Sequence, residues 1–219
     1  MSGSGLTGQS EMTEPEITLL LRELKSSPAN GGILEIGTAA GGTLVRILKA
    51  LPDEEHRRVV VIDTFDYYPD HLGIFKNNLA RNGLAPDVLD VRVTRSNIAL
   101  LSAVKRDEKF SFIVVDGSHK FKHVMQDLQW LSRLSVGGMA ALHDYTDHLP
   151  GVVLAVKRFL ARNKNYKIKA QADTLLILEK TAEAVKSEVT PLDLLYAHAY
   201  TIVLQNKKSI RKISGMFRR

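Results

Sequence analysis

The chain has 219 residues, 44% of them apolar, with no cysteine and a formal net charge of +6. That is enough apolar material for one sizeable core, while the absence of thiols excludes disulfides, thiolate metal sites and cysteine nucleophiles and leaves chemistry to histidines, acids and hydroxyls. No apolar run is long enough to cross a bilayer and Met1 to Glu11 lacks a basic-then-apolar leader, so a cytoplasmic protein is expected.

Residues 1–12 are rich in glycine and serine and read as a flexible terminus. Thr13-Glu14-Pro15-Glu16 has the form of a capping box with proline in the first turn, and the helix it opens continues through Ile17 to Leu24. Strand patterns follow at Ile33–Ile36, Val59–Asp63, Val88–Val93, Phe112–Asp116, Met139–His143, Lys167–Ala170 and Thr174–Leu178. Helical patterns near Leu44–Leu51, His71–Arg81, Ile98–Arg106 and His119–Leu134 separate the first five, and another covers Val152–Ala161. This alternation predicts an α/β fold: a doubly wound, mostly parallel seven-stranded sheet with helices on both faces. Between Ala170 and Thr174 there is room only for a turn, so the last two strands form an antiparallel hairpin at one edge. One domain is expected over residues 13–180, with a basic helical extension over 181–219.

In such a sheet the ligand lies beyond the carboxyl ends of the strands. Glu35 stands inside the first strand, and the Gly37–Thr43 turn that follows opens a helix whose free N–H groups face that ligand. An acid there repels the pyrophosphate of a dinucleotide and suits a cationic ligand. Asp63 ends the second strand, where an acid commonly accepts from ribose hydroxyls. Ser96 with Asn97, Asp116, and His143 with Asp144 end the next three.

These residues resemble the class I S-adenosylmethionine-dependent methyltransferases, and most of all the small O-methyltransferases of the catechol, caffeoyl-coenzyme A and bacterial sugar and antibiotic type. The resemblance spans Ile17 to Lys180 and rests on the E-x-G-x-x-x-G form of Glu35–Gly41, on Asp63, on Asp116-Gly117-Ser118-His119, and on Gly137-Gly138 leading to His143-Asp144. It implies a Rossmann-like methyltransferase fold and an enzyme that methylates a hydroxyl oxygen of a small molecule or sugar. Glu35, Gly37 and Thr43 would hold the methionine end of S-adenosylmethionine, Asp63 the ribose, and Ser96 and Asn97 the adenine neighbourhood, with Asp116 beside them. His119 corresponds to the proton acceptor of the catechol-like relatives. Asp116, His143 and Asp144 offer two carboxylates and an imidazole to one divalent ion, where the metal-dependent relatives have Asp-Asn or Asp-Asp in place of His143-Asp144. Imidazole makes magnesium a poorer fit and leaves manganese or zinc open. In a metal-free site His143 is instead a second candidate base, oriented by Asp144 or Asp116. Ala39 stands where many class I members have glycine.

Two other functions compete. A nucleic-acid methyltransferase acting on base amines is disfavoured because Asp116-Gly117-Ser118-His119 occupies the place of the Asp/Asn-Pro-Pro-aromatic run of those enzymes, and a non-catalytic cofactor-binding scaffold has no use for His119 among these acids. The basic residues gather in the tail: no acid follows Asp193, and Lys207, Lys208, Arg211, Lys212, Arg218 and Arg219 do. Ile210, Ile213 and Phe217 fall on one helical stripe with Met216 beside it, which makes the tail a basic amphipathic helix with two possible roles, a homo-oligomer contact or a membrane-surface contact.

Overall fold

Residues 9–52, 57–186 and 188–216 are described by the structure, a computed structural model, with side chains as far as Gln205. Helix α1 covers Glu14–Ser26 and begins with the expected box, in which the Thr13 hydroxyl accepts from the Glu16 N–H and the Glu16 carboxylate accepts from Thr13 N–H. Strands β1 to β7 are Gly32–Ile36, Val59–Asp63, Asp90–Val93, Phe110–Val115, Leu134–Leu142, Tyr166–Ala172 and Leu175–Lys180. Helices α2 to α7 are Gly42–Ala50, His71–Arg81, Ser96–Lys105, Phe121–Asp127, Pro150–Arg162 and Pro191–Met216.

The strands form one sheet in the order β3-β2-β1-β4-β5-β7-β6. The first five are parallel, and β7 runs antiparallel to both β5 and β6. Strands β1 and β4 are buried along their whole length, which is why, apart from Glu35 and Ser111, they read as apolar runs. One core layer joins the sheet to α4, α5 and α6, with Ala197 of α7 reaching it from outside; the other joins the sheet to α1, α2 and α3. The chain reverses winding between β1 and β4, and the crevice above that switch point is where such sheets receive ligands. Among the described residues no helix is long and apolar enough to cross a membrane.

Three elements differ from their sequence pattern. Val88 belongs to a 3-10 turn over Pro86–Val88 and is exposed, so β3 starts only at Asp90; Pro86 has no N–H to give a ladder. The helical pattern over His119–Leu134 divides into α5 and a 3-10 stretch, Leu128–Arg133, in which the buried Trp130 donates its Nε1–H to Ser96 O at 3.1 Å. Strand β5 begins five residues early because Gly137, at φ 79°, carries the chain through a bulge between Leu134 and Met139.

Candidate active site

The turn after β1 is held from three sides. Gly37 has φ +79°, and a Cβ there would lie 2.5 Å from Asp116 O, so only glycine lets β1 and β4 end side by side. Ala39 takes a left-handed φ of 45°, which explains the glycine usual at this point; its carbonyl accepts from His71 Nε2 at 2.8 Å, and Asn78 donates to Ala40 O at 2.8 Å. Asp63 accepts from the Thr38 N–H at 2.9 Å and from the Phe65 N–H at 2.8 Å, tying the end of β2 to the same turn. At the start of α2 the Thr43 hydroxyl lies 2.7 Å from that of Ser10, and a Cβ on Gly42 would meet Gln9 C at 2.2 Å. Residues 9 and 10 therefore lie directly over the helix start; residues 1–8 of the expected flexible terminus lie outside the described residues.

Beneath this turn acids gather at the strand ends. Glu35 is buried within β1, and its Oε2 has no hydrogen-bond partner among the described residues. Burial pushes its carboxyl up to about 8, Thr38 opposes the rise, and the neighbouring Asp116 and Asp63 add to it. A buried carboxyl oxygen with no partner is costly, and Asp116 and Asp63 make its surroundings acidic. Ser96 lies at the start of α4 with its hydroxyl bonded to Asp127, whose carboxyl burial lifts to about 7; Asn97 is half-buried beside it.

Beyond Asp116 come two histidines in different settings. His119 is half-exposed and its Nε2 lies 2.6 Å from Asp144 Oδ2, a bond that raises the pKa of the ring while holding Asp144 below the usual carboxylate range. His143 is buried. Its Nδ1 lies 2.9 Å from Asp116 Oδ1 and 3.6 Å from Asp144 Oδ2, and its Nε2 lies 3.5 Å from Glu16 Oε2. Burial alone would lower the pKa of His143, but Asp116, Asp144 and Glu16 together lift it to about 9. The donor atoms of Asp116, His143 and Asp144 all lie within 4.8 Å of one another. Two ligands of one ion, each at about 2.1 Å, stand roughly 3 Å apart, so the 2.9 Å between Asp116 and His143 fits a shared metal as well as a shared proton.

A family model for a methyltransferase domain matches residues 34–145. The chain belongs to this family. The matched segment runs from β1 to the residue after Asp144 and so contains every strand end described above. No curated protein matches the methyltransferase chain. Among solved structures it is similar to an O-methyltransferase from Bacillus cereus in complex with SAH, at 17% identity over 83% of this chain and 92% of that one, with a TM-score of 0.62. It is similar also to the O-methyltransferase TomG from Streptomyces achromogenes, involved in tomaymycin synthesis and solved with SAM, at 18% identity, the same coverages and a TM-score of 0.59. The calicheamicin enzyme CalS11, a TDP-rhamnose 3'-O-methyltransferase, matches at 17% identity over 74% of this chain and 76% of its own, with a TM-score of 0.60. At these identities the likeness is one of fold, and it is the fold of a class I methyltransferase.

Glu16 is the site residue that sequence reading missed, because its capping-box role accounts for it locally. In the structure its Oε1 also accepts from the N–H and hydroxyl of Thr174, at 2.8 and 2.7 Å, so one buried carboxylate joins α1, the β6–β7 turn and His143. Replacing Glu16 with alanine should cost about 2–3 kcal/mol, since charged hydrogen bonds are lost and buried donors left unpaired. Urea unfolding measures this. A variant as stable as the wild type would show that α1 docks without it.

Proposed function

We propose that the protein transfers the methyl group of S-adenosylmethionine to a hydroxyl oxygen of a small molecule or sugar. The observation that carries the reading is the buried Glu35 carboxyl at the switch point, whose Oε2 has no hydrogen-bond partner among the described residues and whose charged neighbours are Asp116 and Asp63. Such a site repels phosphate and accommodates an ammonium and a sulphonium. Glu35, Gly37 and Thr43 are assigned to the methionine end, Asp63 to the ribose, and Ser96 and Asn97 to the adenine side. The ligands named for the Bacillus and Streptomyces structures agree with this choice.

When bound, S-adenosylmethionine supplies a methyl carbon on sulphonium sulphur, and transfer breaks that C–S bond while a C–O bond forms. The chain's part is to align the acceptor and to take its proton. With Nε2–H donated to Asp144, His119 presents Nδ1 as the accepting atom, and the Asp144 carboxylate stabilises the resulting imidazolium. His143 serves position in this arrangement: both its nitrogens face carboxylates, so it fixes Asp116 against α1.

A second reading is favoured by the clustering of Asp116, His143 and Asp144. These three would hold one divalent ion, with manganese or zinc better matched than magnesium to a set containing imidazole. Such an ion would hold the acceptor oxygen and lower its pKa. Incubation with S-adenosylmethionine and a panel of sugars, phenols and diols, read by mass spectrometry, should yield a methyl ether. Methylation of a base amine, or binding with no turnover on the whole panel, would overturn the hydroxyl assignment. Chelation decides between the two forms of the site: full activity after verified metal removal excludes an essential ion, and loss restored by manganese or zinc establishes one.

A further inference from the structure

The stripe expected in the tail, Ile210, Ile213, Met216 and Phe217, lies outside the described side chains. Within the domain, one buried acid has no part in the chemistry proposed above. Asp127 ends α5, is 5% exposed, and its carboxyl meets the Ser96 hydroxyl and no basic group among the described residues. Burial lifts this carboxyl to about 7, and the bond from Ser96 opposes the rise. A buried carboxylate answered by one hydroxyl costs stability that an apolar side chain would not.

Ser96 begins α4 and is held at two atoms. Its carbonyl accepts from Trp130 Nε1 at 3.1 Å, and its hydroxyl donates to Asp127 Oδ1. Two residues earlier the Thr94 N–H donates to Asp63 O at 3.0 Å, which ties this helix start to the end of β2. On the other side a Cβ on Gly117 would meet Asp127 Oδ2 at 3.5 Å, so Asp127 stands beside the residue that follows Asp116. The start of α4 has no side-chain cap. The Ile98 and Ala99 N–H groups close on Arg95 O, while those of Ser96 and Asn97 have no partner among the described residues, and both residues are half-buried, with surface left to meet a ligand.

A hydroxyl has one proton to donate, and an ionised carboxylate can only accept. The Ser96 proton is therefore committed to Asp127, and Ser96 Oγ has only lone pairs for a further partner, beside two free N–H donors. Adenine carries the matching pair along one edge, a 6-amine that donates and N1 that accepts. A 6-oxo purine reverses both, with an oxygen that accepts and an N1–H that donates. We infer that Asp127 is a positioning residue for the nucleobase: by holding the Ser96 proton it makes Ser96 Oγ an acceptor for the 6-amine of adenine, next to the α4 N–H groups that donate to N1. Resting on the assignment of Ser96 and Asn97 to the adenine side of S-adenosylmethionine, this gives the site a preference for adenine over a 6-oxo purine.

The test is calorimetric titration of the full-length protein with S-adenosylhomocysteine and with S-inosylhomocysteine, which has a carbonyl oxygen in place of the 6-amine. A pH of about 8.5 keeps Asp127 ionised. The wild type should favour the adenosyl ligand on the order of 100-fold or more, since the analogue sets like groups against each other at both positions. In Asp127→Leu the Ser96 hydroxyl is free to turn and donate to the 6-oxygen, and the ratio should fall to roughly tenfold or less. Ser96→Ala removes the hydroxyl, keeps the backbone bond to Trp130, and should lower the ratio in the same way, which serves where Asp127→Leu does not fold. A merely structural Asp127 would weaken both ligands alike. An unchanged ratio in either folded variant, or a wild type that binds the two ligands equally, overturns the inference and leaves the cofactor assignment standing. A wild type that binds no S-adenosylhomocysteine removes that assignment, and the role of Asp127 with it.

Discussion

Replacing His119 with alanine is expected to lower turnover by about 100-fold or more, the usual contribution of a positioned general base, and to leave the affinity for S-adenosylhomocysteine unchanged. The two effects separate because His119 is paired with Asp144 beyond Asp116, on the side proposed for the acceptor, while the residues proposed for the cofactor lie at the ends of β1, β2 and β3. Loss of kcat at constant cofactor affinity is the signature of a group acting in the transition state. Asp144→Ala should reproduce part of the loss, since the ring then has no carboxylate to hold its Nε2–H toward Asp144 and leave Nδ1 as the accepting nitrogen. A His119→Ala enzyme with wild-type turnover would remove His119 from the mechanism.

The largest stability effect is expected at Trp130. The ring is fully buried, edge-on to Phe110 at 5.9 Å, and its Nε1–H fixes the backbone at Ser96 where α4 begins. Trp130→Ala should cost about 3–5 kcal/mol through lost burial and the cavity left behind, read from urea or thermal unfolding. Trp130→Phe keeps most of the packing and removes the hydrogen bond, so a loss of about 1 kcal/mol is expected from it. A near-neutral Trp130→Ala would mean that the layer formed by α4, α5 and α6 repacks freely around the gap.

The parallel strands and their helices were legible because each signals itself locally. Buried strands must be apolar on both faces, and the glycine turn after β1 is dictated by the approach of Asp116 O to Gly37. The row of strand-end acids followed from the same topology, since a parallel sheet sends every carboxyl end to one edge. What stayed hidden was long-range. Ser10 reaches Thr43 across 33 residues, Asp127 reaches Ser96 across 31, and Glu16 reaches Thr174 across 158. Each of these residues has a sufficient local explanation, as terminus, helix end or cap, so no spacing betrays its partner. The pairing of His119 with Asp144, and of His143 with Asp116 and Glu16, is likewise long-range, across 25, 27 and 127 positions of the chain. Sequence brought these groups to one cleft without saying which acid meets which ring.

The account turns on the acidic crevice at the end of β1 being a site for S-adenosylmethionine, and calorimetric titration with S-adenosylhomocysteine tests that most directly. The wild-type protein should bind one equivalent, and Asp63→Ala, with its fold verified by circular dichroism, should bind it more weakly by roughly 1–3 kcal/mol through lost charged hydrogen bonds. Binding of NADH in the same crevice with no heat from S-adenosylhomocysteine or S-adenosylmethionine would contradict the assignment of Glu35 and Asp63, and with it the proposed reaction.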